Sequence, residues 1–529
     1  MGDKLPERFD VVILGTGLPE CIIAAACARS GLSVLQVDRN DYYGDLWASF
    51  NLRTIQDWIT KNGGSCSEVQ VNHESFLNDG EKFLAATCRS FVENIHQQRF
   101  KKQPEIWPNK GYVYLCFSHV DNPQESDASV ALHLQDIDLQ WRKFSLDLLP
   151  KILLSRGNMV KLLCDSGVAK YCEFKCVNRL LSCSSENGSN SLEVVPCSRG
   201  EIFQSEAISS VFLIILLDVK SKRATNVIFR VQDKRRVMRF LQKCIEWRKN
   251  PNETEGWKGL EAVCQFLESV GRFGDSPFLW TLYGSGELPQ CFARLCAVFG
   301  GIYCLNRSVD GFVVAGERVV ATVIGGQRIE CNHVIANRAY LPEHYLNTSL
   351  QTRLNRVILI SDRSILPDFD KEHISVLNLS SLESDALPYL LEIGYEGGIS
   401  PKGKYAIHIT GQSDNSAQVV LNPIVDRFFS VTENEEMKSH ILWSLYFDLA
   451  LPSVNVHNLP KNMRVVPCVD KNLNYSKIIF EVEEIFEELW PDRDFLPPSL
   501  TEEEGRESDA DMISSEAEQE ATVAESIPE

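Results

Sequence analysis

The residues best placed to do chemistry come early in the chain, as Gly15-Thr-Gly17-Leu-Pro-Glu20, with Asp38 closing the apolar run that follows. Glycines at this spacing suit a tight strand-to-helix turn, close approach of a pyrophosphate to the helix N-terminus, and an acid further on for a ribose hydroxyl. Here the third glycine position carries Glu20. A carboxylate there crowds helix–strand packing, favours the helix dipole itself and repels a phosphate. Two readings follow. In one, Gly15, Gly17 and Asp38 bind a flavin. In the other, the favoured one, the turn is a relic that holds no cofactor and whose glycines serve only the backbone. No phosphate-binding G-x-x-x-x-G-K-[ST] loop, no H-E-x-x-H and no G-x-S-x-G elbow is present, and the ten histidines show no metal spacing. Nothing local supports catalysis.

The elements around the turn set the fold class. From Phe9, FDVVILGTGLPECIIAAACARSGLSVLQVDRN reads as strand, glycine turn, small-residue helix and second strand ending at Asp38. Such a unit opens an α/β domain with a mixed, flavoprotein-like sheet. Between Asp138 and Arg248 the spacing looks helical, as in FSLDLLPKILLSRGNMVKLLCDSGVAKYCEF and KRRVMRFLQKCIEW, and predicts an inserted helical domain. After Gly271 the chain turns strand-rich, with VDGFVVAGERVVATVIGGQRIECNHVIA suggesting antiparallel hairpins. The predicted organisation is a discontinuous flavoprotein-like domain (residues 1–137 and 270–500), a helical domain (138–269) and an acidic tail (501–529).

Composition narrows the class. At 529 residues and 44% hydrophobic content the chain can bury about two cores. The best candidate for a membrane span, Val211 to Leu217, is far too short for one and reads as a buried strand or core helix. No signal-peptide pattern follows the N-terminus, which predicts a cytosolic protein. Seventeen cysteines, odd in number and never spaced C-x-x-C, read as reduced core thiols. Cys172 and Cys176 could share a helical face, but no neighbouring pair completes a metal site, so no metal is expected. The net charge of −19 argues against a nucleic-acid partner. About half of it lies in residues 501–529, which are too poor in apolar residues to pack and predict a disordered tail. The final SIPE is no prenylation box.

Three blocks carry a family resemblance. GTGLPECIIAAACARSG with VDRNDYYGDLWASFNL, then FSLDLLPKILLSRGNMVKLLCDSGVAKYCEFK from Phe144, then GRFGDSPFLWTLYGSGELPQCFARLCAVFGGIYCLN from Gly271 to Asn306 resemble the Rab GDP-dissociation inhibitor and Rab escort protein superfamily. The glutamate at position 20 is itself part of that pattern. The long spacer between the first two blocks, the acidic extension after Leu500 and the phrases CAVFGGIYCLN and RVILISDRSILPD look escort-like rather than inhibitor-like.

The resemblance implies a non-catalytic accessory component of Rab geranylgeranyltransferase. Its expected partners are GDP-bound Rab GTPases, the catalytic αβ heterodimer and the geranylgeranyl groups of prenylated Rab, with brief peripheral membrane contact. It implies a Rab-binding platform at Tyr43, Glu287, Arg294, Tyr303 and Cys304, in which the planar fork of Arg294 suits an acidic residue of the GTPase. Each also has a purely structural reading: Tyr43 as a turn aromatic, Glu287 and Arg294 as an intramolecular pair. Gly271 to Leu279, with Arg272, Phe273, Ser276 and Phe278, resembles a mobile GTPase-engaging loop. Leu148, Leu149, Ile152, Leu153, Val160 and Leu163 are candidates for shielding the prenyl chain, at about 0.8 kcal/mol per buried CH₂, or are ordinary core. Phe240 is the candidate contact to the transferase. Relative to the pattern, residues 206–231 look inserted and a segment is missing between Asn252 and Leu260. The rivals are a dissociation inhibitor, which would bind only prenylated Rab, and a flavin oxidase, which would purify yellow.

Overall fold

The computed structural model describes residues 4–63, 74–87, 89–100, 136–184, 191–195, 265–266, 268–274, 276–368, 371–379, 388–431 and 438–497. The opening βαβ unit forms as its sequence predicts. Strand β1 (Arg8–Leu14) leads through the glycine turn into helix α1 (Leu18–Arg29), and strand β2 (Val34–Val37) returns parallel to β1. Leu18 to Ala28 are all buried. A helix apolar on every side needs covering all round, and here β1 and β2 lie against one side while the helices Glu287–Val298 and Ser476–Leu489 pack on others. The run Ala24-Ala25-Ala26 lets these neighbours approach closely.

Eight strands make the sheet that carries this unit. The strand Ile302–Cys304 lies at one edge, followed by β2, β1, Gln327–Ala336, Arg318–Ile324, Val309–Ala315 and Lys82–Ala85, while Met463–Val465 pairs alongside Gln327–Ala336. The two hairpins expected after Gly271 are the antiparallel pairings of Val309–Ala315 with Arg318–Ile324 and of Arg318–Ile324 with Gln327–Ala336. A second, nine-stranded sheet is built around two long antiparallel strands, Leu346–Ser361 and Ser439–Val454. Its inner face joins α1 and the helix Glu287–Val298 in the largest apolar core. The architecture is mixed α/β.

The stretch from Asp138 departs from the helical expectation. Among its described residues the longest helix is Asn158–Asp165, of two turns, with single helical turns at Asp136–Leu139, Trp141–Lys143 and Val168–Tyr171 and several short strands. Leu146–Asp147 pairs with Ser49–Phe50, Leu153–Leu154 and Phe174–Cys176 flank Phe278–Thr281, and Arg179–Ser184 joins the nine-stranded sheet parallel to Ile374–Asn378. Around Leu146 to Leu154 the physical reason is Pro150. It removes a backbone donor and pushes Leu149 out of helical conformation, so the apolar spacing around it serves an extended segment. Residues 196–264, which include Phe240, the 211–217 run and the inserted and shortened segments, lie outside the described residues, as does the acidic tail.

Candidate functional site

The glycine turn is filled by its own chain. Gly15 takes φ of +113°, and a Cβ placed on it would lie 2.8 Å from Oε1 of Glu20; one on Gly17 would lie 2.5 Å from Oε2. The Glu20 carboxyl therefore lies on the surface where a pyrophosphate would rest. It is 1% exposed and accepts a 2.9 Å hydrogen bond from Nδ2 of Asn337. Burial pushes its pKa up to about 8. Near neutral pH it therefore holds its proton, and it excludes phosphate by occupying the space rather than by charge.

Asp38 is just as fully engaged. Oδ2 accepts from the backbone N–H and the hydroxyl of Thr16, at 2.8 and 2.6 Å, and Oδ1 from the N–H of Asn40 and the hydroxyl of Tyr340, at 2.8 and 3.1 Å. Four donors leave little capacity for a ribose hydroxyl. Asp45, its φ at +46°, accepts from the same Asn337 amide at 3.3 Å, and burial followed by the nearby Asp38 charge raises it to about 6. The residues present do not fit a dinucleotide. A cavity of about 560 Å³ remains beside them, lined by Glu20, Asp45, Trp47, Trp58 and Phe91 among others.

The five platform residues lie on three adjoining elements. Tyr43 follows β2, and its ring meets that of Tyr303 edge-on at 6.0 Å. Tyr303 and Cys304 are half-buried on the edge strand, where the carbonyl of Cys304 accepts from the N–H of Asp38 at 2.9 Å. The Tyr303 hydroxyl faces the Cys296 thiol, and burial drives its pKa well up. Cys296 belongs to the helix Glu287–Val298, and the Tyr303 hydroxyl is buried without a hydrogen-bond partner among the described residues. On that helix Glu287 is half-buried, its pKa raised by burial, and Arg294 is exposed. Seven positions apart, they share one helix face. Arg294 stacks its guanidinium on the ring of Tyr171 at 4.3 Å, and no ion pair joins it to Glu287 among the described residues. Stacked this way, the guanidinium keeps its N–H edge available for a carboxylate.

A clamp behind this helix was not foreseen. Asp147 accepts from the Ser49 hydroxyl at 2.5 Å and from the Ser285 N–H at 2.8 Å, and the Ser49 hydroxyl in turn accepts from the Gly286 N–H at 2.9 Å. Gly284, at φ of +114°, leaves room that a Cβ would take, 2.5 Å from Oδ1 of Asp147. The Asp147 carboxyl is buried, and burial lifts its pKa to about 6. The only sequence signal was the GSGE turn, whose partner carboxylate lies far away in the chain.

The remaining expected residues divide. In the loop after Gly271, Arg272 donates to the carbonyl of Ser155 at 2.5 Å and lies over the ring of Phe273, which is 51% exposed. Ser276 and Phe278 are buried, the latter against Phe266. Leu148, Leu149, Ile152, Leu153, Val160 and Leu163 all belong to the main core, which supports their structural reading. Cys172 and Cys176 share no helix face: Cys172 faces Cys291, and the Cys176 thiol meets the carbonyl of Phe273 at 3.2 Å.

Fold and site together define a class: a flavoprotein-like platform whose nucleotide turn is plugged by its own carboxyl, with an open helix face beside it. The family model described as GDP dissociation inhibitor matches residues 5–91, 138–263 and 217–441. A Caenorhabditis elegans protein named Rab proteins geranylgeranyltransferase component A 1 is 35% identical, over 95% of this chain and 97% of its own. A Homo sapiens protein of the same name is 28% identical over 100% and 98%. The solved structure of a Rab GDI from Plasmodium falciparum shares the fold, with a TM-score of 0.64 at 21% identity, over 93% of this chain and 100% of that one. The chain belongs to the GDP dissociation inhibitor family, among relatives named as component A of the Rab geranylgeranyltransferase. No described helix is long and apolar enough to cross a membrane.

Proposed function

We propose that this protein is a Rab escort component. It binds GDP-loaded, unprenylated Rab through Tyr43, Glu287, Arg294, Tyr303 and Cys304, and presents it to the catalytic αβ prenyltransferase. The transfer chemistry belongs to that heterodimer, and this chain acts as an accessory without catalytic residues of its own. The loop around Phe273 adds a second hold on the GTPase. After transfer the protein shields the lipid and delivers Rab to a membrane from the cytosol, touching that membrane only peripherally. The observation that carries the reading is the full-length likeness to component A relatives. The exposed Arg294, on one helix face with the half-buried Glu287, supports it. The protein holds no flavin, a reading supported by the position of Glu20 and the four donors on Asp38.

The deciding assay combines purified transferase αβ, one Rab and labelled geranylgeranyl diphosphate, with this protein as the only variable. Labelling of Rab that depends on it is the expected result. Absence of labelling together with absence of binding to unprenylated Rab would overturn the reading. Binding confined to prenylated Rab would instead identify a dissociation inhibitor. A colourless preparation, without absorbance near 450 nm, is expected for the flavin-free state.

A further inference from the structure

The cavity beside the glycine turn has none of the five platform residues in its lining, yet it is built like a ligand site. Its volume of about 560 Å³ falls in the range of small-molecule pockets. Trp47 and Trp58, each 3% exposed, and Phe91, 9% exposed, give it an aromatic wall. Four cations line it as well: Arg39, Lys61, Arg89 and Arg338. Lys61 and Arg89 are exposed and mark the mouth, while Arg39 and Arg338 are half-buried. Trp58 and Lys61 lie three positions apart on the helix Thr54–Asn62, so one helix face supplies both wall and mouth.

The backbone around Arg89 brings these cations together. Its carbonyl accepts from Nη2 of Arg39 at 2.9 Å, and its N–H donates to the carbonyl of Ala339, next to Arg338, at 3.3 Å. The Ser90 hydroxyl donates to Oδ1 of Asn62, next to Lys61, at 2.6 Å. Little of the charge is neutralised. Lys61 donates to Oδ1 of Asn40 at 3.1 Å and Arg338 to the carbonyl of Pro452 at 2.8 Å, and no carboxylate pairs with either among the described residues. Arg89 meets Glu343 at 3.7 Å, but both side chains are exposed, which makes the pair weak. The two carboxyls of the lining are turned to their own chain. The Glu20 oxygens lie against Gly15, Gly17 and Asn337, and Asp45 is held by Asn40, Asn337 and the Leu46 N–H.

We propose that this cavity binds an aromatic phosphate monoester, its ring inward against Trp47, Trp58 and Phe91 and its phosphate outward among Lys61, Arg89 and Arg338. The wall removes the ring from water and offers it edge-on and stacked contacts. The dianionic phosphate takes charge-assisted hydrogen bonds from two guanidinium forks and an ammonium. A phosphate at the mouth needs no room at the glycine turn, which Glu20 fills. The chain that excludes the pyrophosphate of a dinucleotide therefore still admits this smaller anion. A neutral ring would leave the four cations unmatched, and a bare phosphate would leave the aromatic wall unused.

The test titrates the full-length protein with 1-naphthyl phosphate, and separately with 1-naphthol and with inorganic phosphate, by calorimetry and by melting temperature. The ester should bind saturably, raise the melting temperature and lose affinity as salt is added. It should bind about tenfold or more tighter than either of its halves. Lys61→Ala combined with Arg89→Ala removes two exposed side chains, so the melting temperature of the free protein should stay near the native value. In that variant the ester should bind about tenfold or more weakly. Silence of both signals at millimolar 1-naphthyl phosphate overturns the proposal. Equal affinity in the double variant does the same. So does inorganic phosphate or 1-naphthol binding as tightly as the ester, since one half of the site would then have no part in recognition.

Discussion

Two helices in this protein start from the same kind of glycine turn and end in opposite situations. Helix α1 follows Gly15 and Gly17, the platform helix follows Gly284 and Gly286, and the two pack against each other. At α1 the acid that meets the turn comes from the helix's own first turn, so Glu20 folds back over the glycines and closes that N-terminus. At the platform helix it comes from elsewhere: Asp147 and Ser49 bind the turn from behind. The outward face, with Glu287 and Arg294, stays open. One turn has become core and the other a mount, and what separates them is the side from which a carboxyl reaches the backbone.

Breaking the mount should have the largest effect. Asp147→Ala leaves the Ser285 N–H and the Ser49 hydroxyl without their buried acceptor and should cost about 2–4 kcal/mol, read as a lower urea midpoint. Because the clamp positions the helix, Rab affinity should fall as well. An unchanged midpoint would show that the clamp is incidental.

Arg294→Glu tests the open face without touching the core. Affinity for unprenylated Rab should drop by about ten- to a hundredfold, measured by titration calorimetry, with the melting temperature held near that of the native chain. Equal affinity would remove Arg294 from the platform.

The plugged turn makes a prediction of sign in pH. Glu20, Asp147 and Asp45 are raised to about 8, 6 and 6, and Glu392, buried beside Ser364, to about 7. Their ordinary values lie near 4, so at these four groups the folded state binds more protons than the unfolded state between those limits and they lower stability as pH rises, opposed below about pH 6.5 by His408 and His333, whose pKa burial lowers. The native protein should melt higher at pH 6 than at pH 8.5. Glu20→Gln should flatten the part of that slope between pH 7 and 8.5, at up to about 1.4 kcal/mol per pH unit for one proton. A slope unchanged by the substitution would mean that Glu20 does not hold its proton.

The smallest effect concerns Phe273, which is half exposed in the loop beside the platform. Phe273→Ala should change stability by less than about 0.5 kcal/mol and weaken Rab binding by a few-fold. A large loss of stability would place the ring in the core.

Much of the first domain was legible from local pattern alone. Apolar runs of strand length flanking a glycine turn and an alanine-rich helix allow few other arrangements, so β1, α1 and β2 could be read directly, as could the hairpins between Val309 and Ala336. Around Leu146 to Leu154 the apolar spacing suits a helix while Pro150 forbids one through Leu149, and burial against distant strands gives those leucines another use. The platform residues were reached through resemblance, since no spacing joins Tyr43 to Tyr303.

By itself the sequence determined the βαβ opening, the exclusion of a third glycine at position 20 and the acidity of the chain, because each depends on residues close together or on composition. Only the tertiary structure decided that burial raises the pKa of Glu20, that Asp38 spends its capacity internally and that Asp147 stands behind the platform helix. Protonation depends on how completely a group is removed from water. Hydrogen-bond capacity depends on which distant donors arrive. Both are set by packing among segments such as Ser49, Asp147 and Ser285, which the chain separates and the fold brings within three ångströms of one another.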